Sequence, residues 1–160
     1  MDRHGLAPGG RTPGVRTETI RARGHEHVRA THGTTFEVTT DDWLTPAGDC
    51  ILAVEADRAP AGFAPEFVAA CRDAEARMGA RIRVAADDGT REAVVAGRGH
   101  PELTFADDRG AVVRTSDYVG DRTVMVGADT AAADLDRGLV AALADGAALE
   151  LALAVEPSEA

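Results

Sequence analysis

The sequence predicts an α+β domain in which strands predominate. Two pseudo-repeated halves would each contribute an antiparallel hairpin, further strands and one helix to a sandwich-like or barrel-like core. Three observations predict it: a repeated spacing of distinctive residues, short alternating apolar segments of strand length, and one apolar stripe of helical period in each half. Two stacked α/β layers are the competing architecture.

The repeat is carried by Arg23-Gly24-His25 and Arg98-Gly99-His100, 75 positions apart. At the same offset Thr40, Asp42 and Trp43 meet Thr115, Asp117 and Tyr118. After three residues are lost, an offset of 72 aligns Val54, Asp57 and Asp73 with Val126, Asp129 and Asp145, and Phe63, Phe67 and Cys71 with Leu135, Leu139 and Leu143. The expected organisation is therefore a disordered tail over residues 1–16, rich in Gly, Pro and Arg, and a single domain over 17–160 whose halves span about 17–86 and 91–155.

Each half opens with an expected hairpin, its turn at His32-Gly33-Thr34-Thr35 in the first and Asp107-Asp108-Arg109-Gly110 in the second. The pattern-matched register sets Val28 opposite Val38 and Leu103 opposite Val113, which leaves His32 on the apolar side as a core histidine. Strands follow at Cys50 to Val54 and Thr123 to Val126. Asp57 and Asp129 then read as helix N-caps. The stripes Phe63, Phe67, Cys71, Ala74, Met78 and Leu135, Leu139, Leu143 read as amphipathic helices closed by Gly79 and Gly146. Arg81 to Val84 and Leu149 to Leu153 alternate as closing strands.

In that register Arg23 lies opposite Trp43 and Arg98 opposite Tyr118, with His25 and His100 beside them and Asp42 and Asp117 facing Gly24 and Gly99. Arg114 and Ser116 share the polar face of the second half. The simplest account is a solvated sheet face with Arg packed on aromatic rings. The more specific one is an anion site, because a guanidinium holds two oxygens of a phosphate or carboxylate while an imidazole donates a further hydrogen bond. Convergence of the two Arg-Gly-His copies on one cleft is the geometric requirement. Arg23, His25, Arg98, His100, Trp43, Tyr118, Arg114 and Ser116 are the candidate ligand-binding residues.

Other chemistries have less support. His25, His27 and Asp41, or His100 with carboxylates, could bind a metal, yet no HExxH or ExxH spacing occurs. Neither Ser116 nor Cys50 sits in a nucleophile motif, and no phosphate-cradling loop or RNA-recognition motif is present. The cofactor is left unknown and turnover undecided. A phosphate-bearing small molecule or an RNA element is the first expectation for the ligand. A metal-assisted hydrolase and an assembly protein without small-molecule ligand are the alternatives.

Composition narrows the setting. The 160 residues include 32 Ala, 17 Arg, no Lys and 27 acidic residues, for a formal charge of -10. Polybasic binding to nucleic acid or to an anionic membrane is not the default for such a chain. An acidic, Lys-free, Ala-rich surface suits a protein of a salt-loving cell. Cys50 and Cys71 form no disulfide framework or CxxC site. The start lacks an apolar leader, and Asp145 and Glu150 interrupt the most apolar stretch, so a cytoplasmic protein without a membrane span is expected.

Several segments resemble an archaeal family known only as domain of unknown function 371. They are Arg23-Gly24-His25 through His32, Thr34 to Thr39, Leu44-Thr45-Pro46-Ala47-Gly48-Asp49-Cys50-Ile51, Gly97 to Leu103, and Asp129 through Leu135-Asp136-Arg137. The likeness spans about residues 18–155. It implies an archaeal source and no particular reaction or catalytic residue.

Overall fold

The computed structural model describes residues 14–157. Eight strands and two helices follow in the order β1 (Arg16–Arg23), β2 (Thr35–Thr39), β3 (Ile51–Ala53), α1 (Pro65–Cys71), β4 (Arg77–Ala86), β5 (Gly89–Arg98), β6 (Gly110–Arg114), β7 (Thr123–Met125), α2 (Arg137–Ala144) and β8 (Ala148–Glu156). A 3-10 turn precedes each helix, at Pro60–Gly62 and Ala132–Asp134. The fold is thus α+β and mostly strand, as the sequence predicts. The expected tail ends earlier than residue 16, which already belongs to β1; residues 1–13 of it lie outside the described residues.

The strands form two sheets of four. Sheet A has the order β1-β8-β4-β5 with all neighbours antiparallel. Sheet B has the order β3-β2-β6-β7, antiparallel at its centre and parallel at both flanks. Exchanging the first four strands with the last four leaves both orders unchanged. Glu37 and Val112 are direct partners at the centre of sheet B, and Arg81 and Ala152 at the centre of sheet A.

One apolar cluster serves both sheets and both helices: Ile20, Ile82, Leu151 and Leu153 of sheet A, Phe36 and Val113 of sheet B, and Phe67, Leu139 and Leu143 of the helices. Inward positions alternate along β4, where Met78, Ala80, Ile82 and Val84 are buried while Arg77, Arg83 and Ala85 are exposed. With aromatics scarce, each buried Leu or Ile matters, at roughly 1.5–3 kcal/mol of transfer free energy. Phe67 meets Phe63 and Phe105 edge-to-face, and Phe63 and Phe105 are tilted at 49°, with centroids 5.5–6.1 Å apart across the trio.

The expected hairpins do not form. β1 ends at Arg23 and pairs with β8, whereas β2 pairs with β6, so residues 24–34 and 99–109 are connections. Val28, Ala30, Leu103 and Phe105 are buried as their alternation implies. They are anchors of loops, and Ala30 and Phe105 hold φ of 49° and 51°, a left-handed backbone that no strand contains. The hairpin that does form joins β4 to β5 through Asp87 and Asp88, with Gly89 at φ 127°. Asp107 makes a turn of another kind: its carboxylate accepts the amides of Arg109 (2.9 Å) and Gly110 (2.7 Å) where β6 begins. His32 does the equivalent before β2, accepting the Thr34 and Thr35 amides at 3.2 Å, and is half-exposed rather than part of the core.

The helices are shorter than their stripes. Met78 belongs to β4, so the first stripe mixes a helix with a strand. Asp136, not Asp129, caps α2, accepting Leu139 N–H at 3.1 Å. Asp57 and Asp129 clamp the outer edges of sheet A: their carboxylates accept Arg21 N–H (2.9 Å) and Ala96 N–H (3.1 Å), and their own amides donate to the carbonyls of Arg21 and Ala96 (both 2.9 Å). An Asp before an apolar stripe satisfies edge amides here for the reason it would satisfy helix amides, so sequence alone does not separate the two roles.

Candidate functional site

Each Arg-Gly-His copy marks the end of an edge strand. Arg23 exchanges both backbone hydrogen bonds with Val54 (3.0 and 2.7 Å), and Arg98 with Val126 (2.9 and 3.0 Å). The following glycine passes the C-terminal end of the other half's helix. A Cβ at Gly24 would collide with the Leu143 carbonyl, and one at Gly99 with the Cys71 carbonyl. The glycine amides donate to Ala147 (2.8 Å) and Ala76 (3.0 Å), so neither faces Asp42 or Asp117 as the expected register required. Each histidine then closes a turn: His25 Nδ1 accepts His27 N–H, and His100 Nδ1 accepts Glu102 N–H, both at 3.0 Å. With Nδ1 an acceptor, a neutral ring carries its proton on Nε2.

The two copies do not share a cleft. β1 and β5 are opposite edges of sheet A. Arg23 aligns with Ala148 at one end of β8, while Arg98 aligns through Arg77 with Glu156 at the other. That eight-residue separation along β8 is about 26 Å before the width of the sheet is added.

The surroundings of the two copies differ. Arg23 is not opposite Trp43; it lies 3.5 Å from Glu55, and nearby Asp41 is held by Arg109 at 2.8 Å. Trp43 is 58% exposed. Around Arg98 the place of Glu55 is taken by Gly127, and that of Asp41 by Ser116. The Arg98 guanidinium lies over Gly127, whose Cβ, if present, would be 3.1 Å from Nε. Gly127 N–H donates to Ser116 O and Ala128 N–H to Arg114 O, both at 3.0 Å, which joins the segments bearing Arg98, Arg114 and Ser116. Arg114 takes the position of Thr39. Its Nε donates to Thr123 Oγ1 at 2.7 Å and its guanidinium stacks 4.8 Å from the centroid of Tyr118, itself 62% exposed. Among the described residues neither Arg98 nor Arg114 has a carboxylate within ion-pair distance.

The predicted metal ligands are otherwise occupied. His27 Nδ1 lies 2.8 Å from Leu44 O and the His25 ring 5.1 Å from that of His27. Among the described residues no three His, Cys, Asp or Glu side chains gather as a metal site. Surface hollows of about 300 and 470 Å³ open near the β4–β5 turn, lined in part by Arg83 and Thr90 and by Asp88 and Arg91, and contain none of the eight predicted residues.

A group that the sequence reading did not single out lies on sheet B. Glu37, only 6% exposed, is 3.2 Å from the Arg122 guanidinium and accepts the Cys50 thiol at 3.7 Å. Burial pushes its carboxyl above the usual range, against the pull of Arg122 and the thiol. Burial and the Glu37 charge push the Cys50 thiol up to about 11. The alternation of Thr35, Glu37 and Thr39 signals a polar strand face, and only burial of β2 at every position distinguishes it from a solvated one.

The domain of unknown function 371 family model matches residues 20–156. The chain belongs to this family. It shares 37% identity over 127 residues with an uncharacterized protein of Methanocaldococcus jannaschii, a match covering 79% of this chain and 90% of that one. The match to this domain of unknown function 371 family encloses both Arg-Gly-His copies and the Glu37 group. Among the described residues no helix is long and apolar enough to cross a membrane.

Proposed function

We propose that this chain binds a phosphate-bearing small molecule or an RNA element at the rim of its second half. Arg98 and Arg114 would hold the phosphate oxygens, Ser116 would add a hydroxyl, and Tyr118 would offer the free face of its ring to a base. What carries the reading is the pair of guanidiniums without carboxylates in a protein of charge -10, at a rim whose counterpart has Glu55 on its arginine. A charge-assisted hydrogen bond to phosphate contributes about 1.5–3 kcal/mol where the donor is not already neutralised. An exposed Tyr118 ring held in place by the Arg114 guanidinium suits stacking on a base. His25, His100, Arg23 and Trp43 would serve the architecture instead. Descent of the halves from one duplicated unit is part of this proposal: one rim stayed self-neutralised and the other acquired a ligand.

Titration calorimetry with nucleoside monophosphates, inorganic phosphate and a short single-stranded RNA tests the reading. Binding that weakens at least tenfold in Arg98→Ala and Arg114→Ala, and not in Arg23→Ala, is expected. Equal loss in all three, or no binding to any of the probes, overturns it.

A further inference from the structure

We propose that the outer face of sheet B carries an acyl-transfer site in which Cys50 is the nucleophile, Glu37 its base and Arg122 the cation beside the developing oxyanion, acting on small ester or thioester substrates. The proposal is independent of the rim and needs no phosphate.

Its setting is the centre of the molecule's internal correspondence. Glu37 pairs with Val112, its counterpart in the second half. On either side the backbone is alike: Glu37 N–H donates to Cys50 O (2.9 Å) and Val112 N–H to Arg122 O (2.8 Å). Cys50 and Arg122 therefore occupy matching places flanking one carboxylate. His32 and Asp107 match in the same way, each accepting the two amides that open the next strand. Some shared devices keep their residue in both halves, as at Gly24 and Gly99 or Asp57 and Asp129, and others keep only the hydrogen bonds, as at His32 and Asp107. Around Glu37 they differ at every polar position. Val112 demonstrates that an apolar side chain suits this pair of positions, so packing does not require the buried Glu37 carboxylate, which Arg122 reaches from a half-exposed position. A desolvated carboxylate kept between a thiol and a guanidinium points to chemistry.

The geometry assigns the roles. The thiol already donates toward Glu37 Oε1, Arg122 approaches Oε2, and a Cβ at Gly110 would fill the space that Oε2 occupies. Cys50 is half-buried and reachable, whereas Cys71 is fully buried. A thiol raised to about 11 remains protonated at neutral pH and attacks only if a base takes its proton. In the first step Sγ bonds to the substrate carbonyl carbon, the thiol proton moves to Glu37, and Arg122 faces the carbonyl oxygen as it becomes an oxyanion. Collapse breaks the bond to the alcohol or thiol, which leaves with the proton from Glu37 and gives a Cys50 thioester. Water then attacks that thioester, passing its proton to Glu37. Release of the acid restores the thiol, for a net conversion of ester and water to acid and alcohol.

Incubating the full chain with p-nitrophenyl acetate and mapping the acetyl group by peptide mass spectrometry tests this. The expected result is acetylation of Cys50 faster than that of free glutathione at the same pH, at a rate that is level between the ionisation of Glu37 and pH about 11. Cys50→Ala should abolish it and Cys71→Ala should leave it unchanged. Glu37→Gln should slow it about a hundredfold and replace the level region by a continuous rise, in line with loss of a general base. Acetylation at Cys71 or at neither cysteine overturns the proposal, as does a Glu37→Gln rate equal to wild type. Should Glu37→Gln fail to fold, the wild-type profile decides: a rate climbing without a level region up to pH 11 is that of an unassisted thiol.

Discussion

Arg23 and Arg98 end corresponding strands, make corresponding backbone bridges and precede glycines wedged against corresponding helix ends, yet their side chains meet opposite environments. Arg23 faces Glu55. Arg98 lies on the bare backbone of Gly127. The comparison separates what the Arg-Gly-His motif does for the fold from what one copy is free to do for a ligand. The glycine and the histidine Nδ1 are used alike in both copies, whereas the guanidinium surroundings diverge.

The largest effect should come from what the rims share. Gly24→Ala and Gly99→Ala each place a methyl group against a backbone carbonyl that cannot move without disturbing a helix end, and should cost about 2–4 kcal/mol. Denaturant midpoints measure this, and a loss confined to one copy would break the equivalence. Next in size is the asymmetry itself. Gly127→Glu should copy the first rim, neutralise Arg98 and weaken phosphate-ligand binding about tenfold or more, read by calorimetry. The backbone there tolerates a side chain, since Glu55 itself holds φ 57° against 62° at Gly127. The reverse change, Glu55→Gly, removes a left-handed non-glycine residue and an exposed ion pair. It should leave stability within about 1 kcal/mol, the backbone relief offsetting the lost pair.

A smaller effect concerns pH. The Glu37 carboxyl is raised in the folded state, so folded protein binds more protons than unfolded between the usual carboxylate range and its elevated value. The contribution of this group to stability should therefore fall as pH rises through that window. Glu37→Gln should flatten that part of the unfolding curve. Finally, 27 acidic residues against 17 Arg repel one another, so the melting midpoint should rise from low to molar KCl. An unchanged midpoint would remove the argument for a salt-adapted surface.

Much of this was legible in the residues. The repeated spacing picks out residues that make alike backbone contacts: Arg23 and Arg98 bridge to Val54 and Val126, and Asp57 and Asp129 hold the strands at Arg21 and Ala96. The buried positions Val28, Leu103, Ile82 and Leu151 follow from alternation, because burial leaves the same apolar signature in any extended segment. Pairing does not. Val28 and Phe105 alternate as strand residues do, yet the left-handed residues Ala30 and Phe105 turn their segments into loops. β2 finds its antiparallel partner in β6, some 70 or more residues further along the chain, rather than in the segment preceding it.

Local pattern specified the strand-rich class and many of the buried apolar positions, because sterics and side-chain period act over a few neighbours. Tertiary structure alone decided that the Arg-Gly-His copies lie at opposite corners of sheet A, that Asp57 and Asp129 clamp edges instead of capping helices, and that Glu37 is buried between Cys50 and Arg122. Those outcomes depend on contacts between residues distant in sequence, such as Arg23 with Ala148 or Arg122 with Glu37, and desolvation of a carboxylate is set by what covers it, which no local window contains.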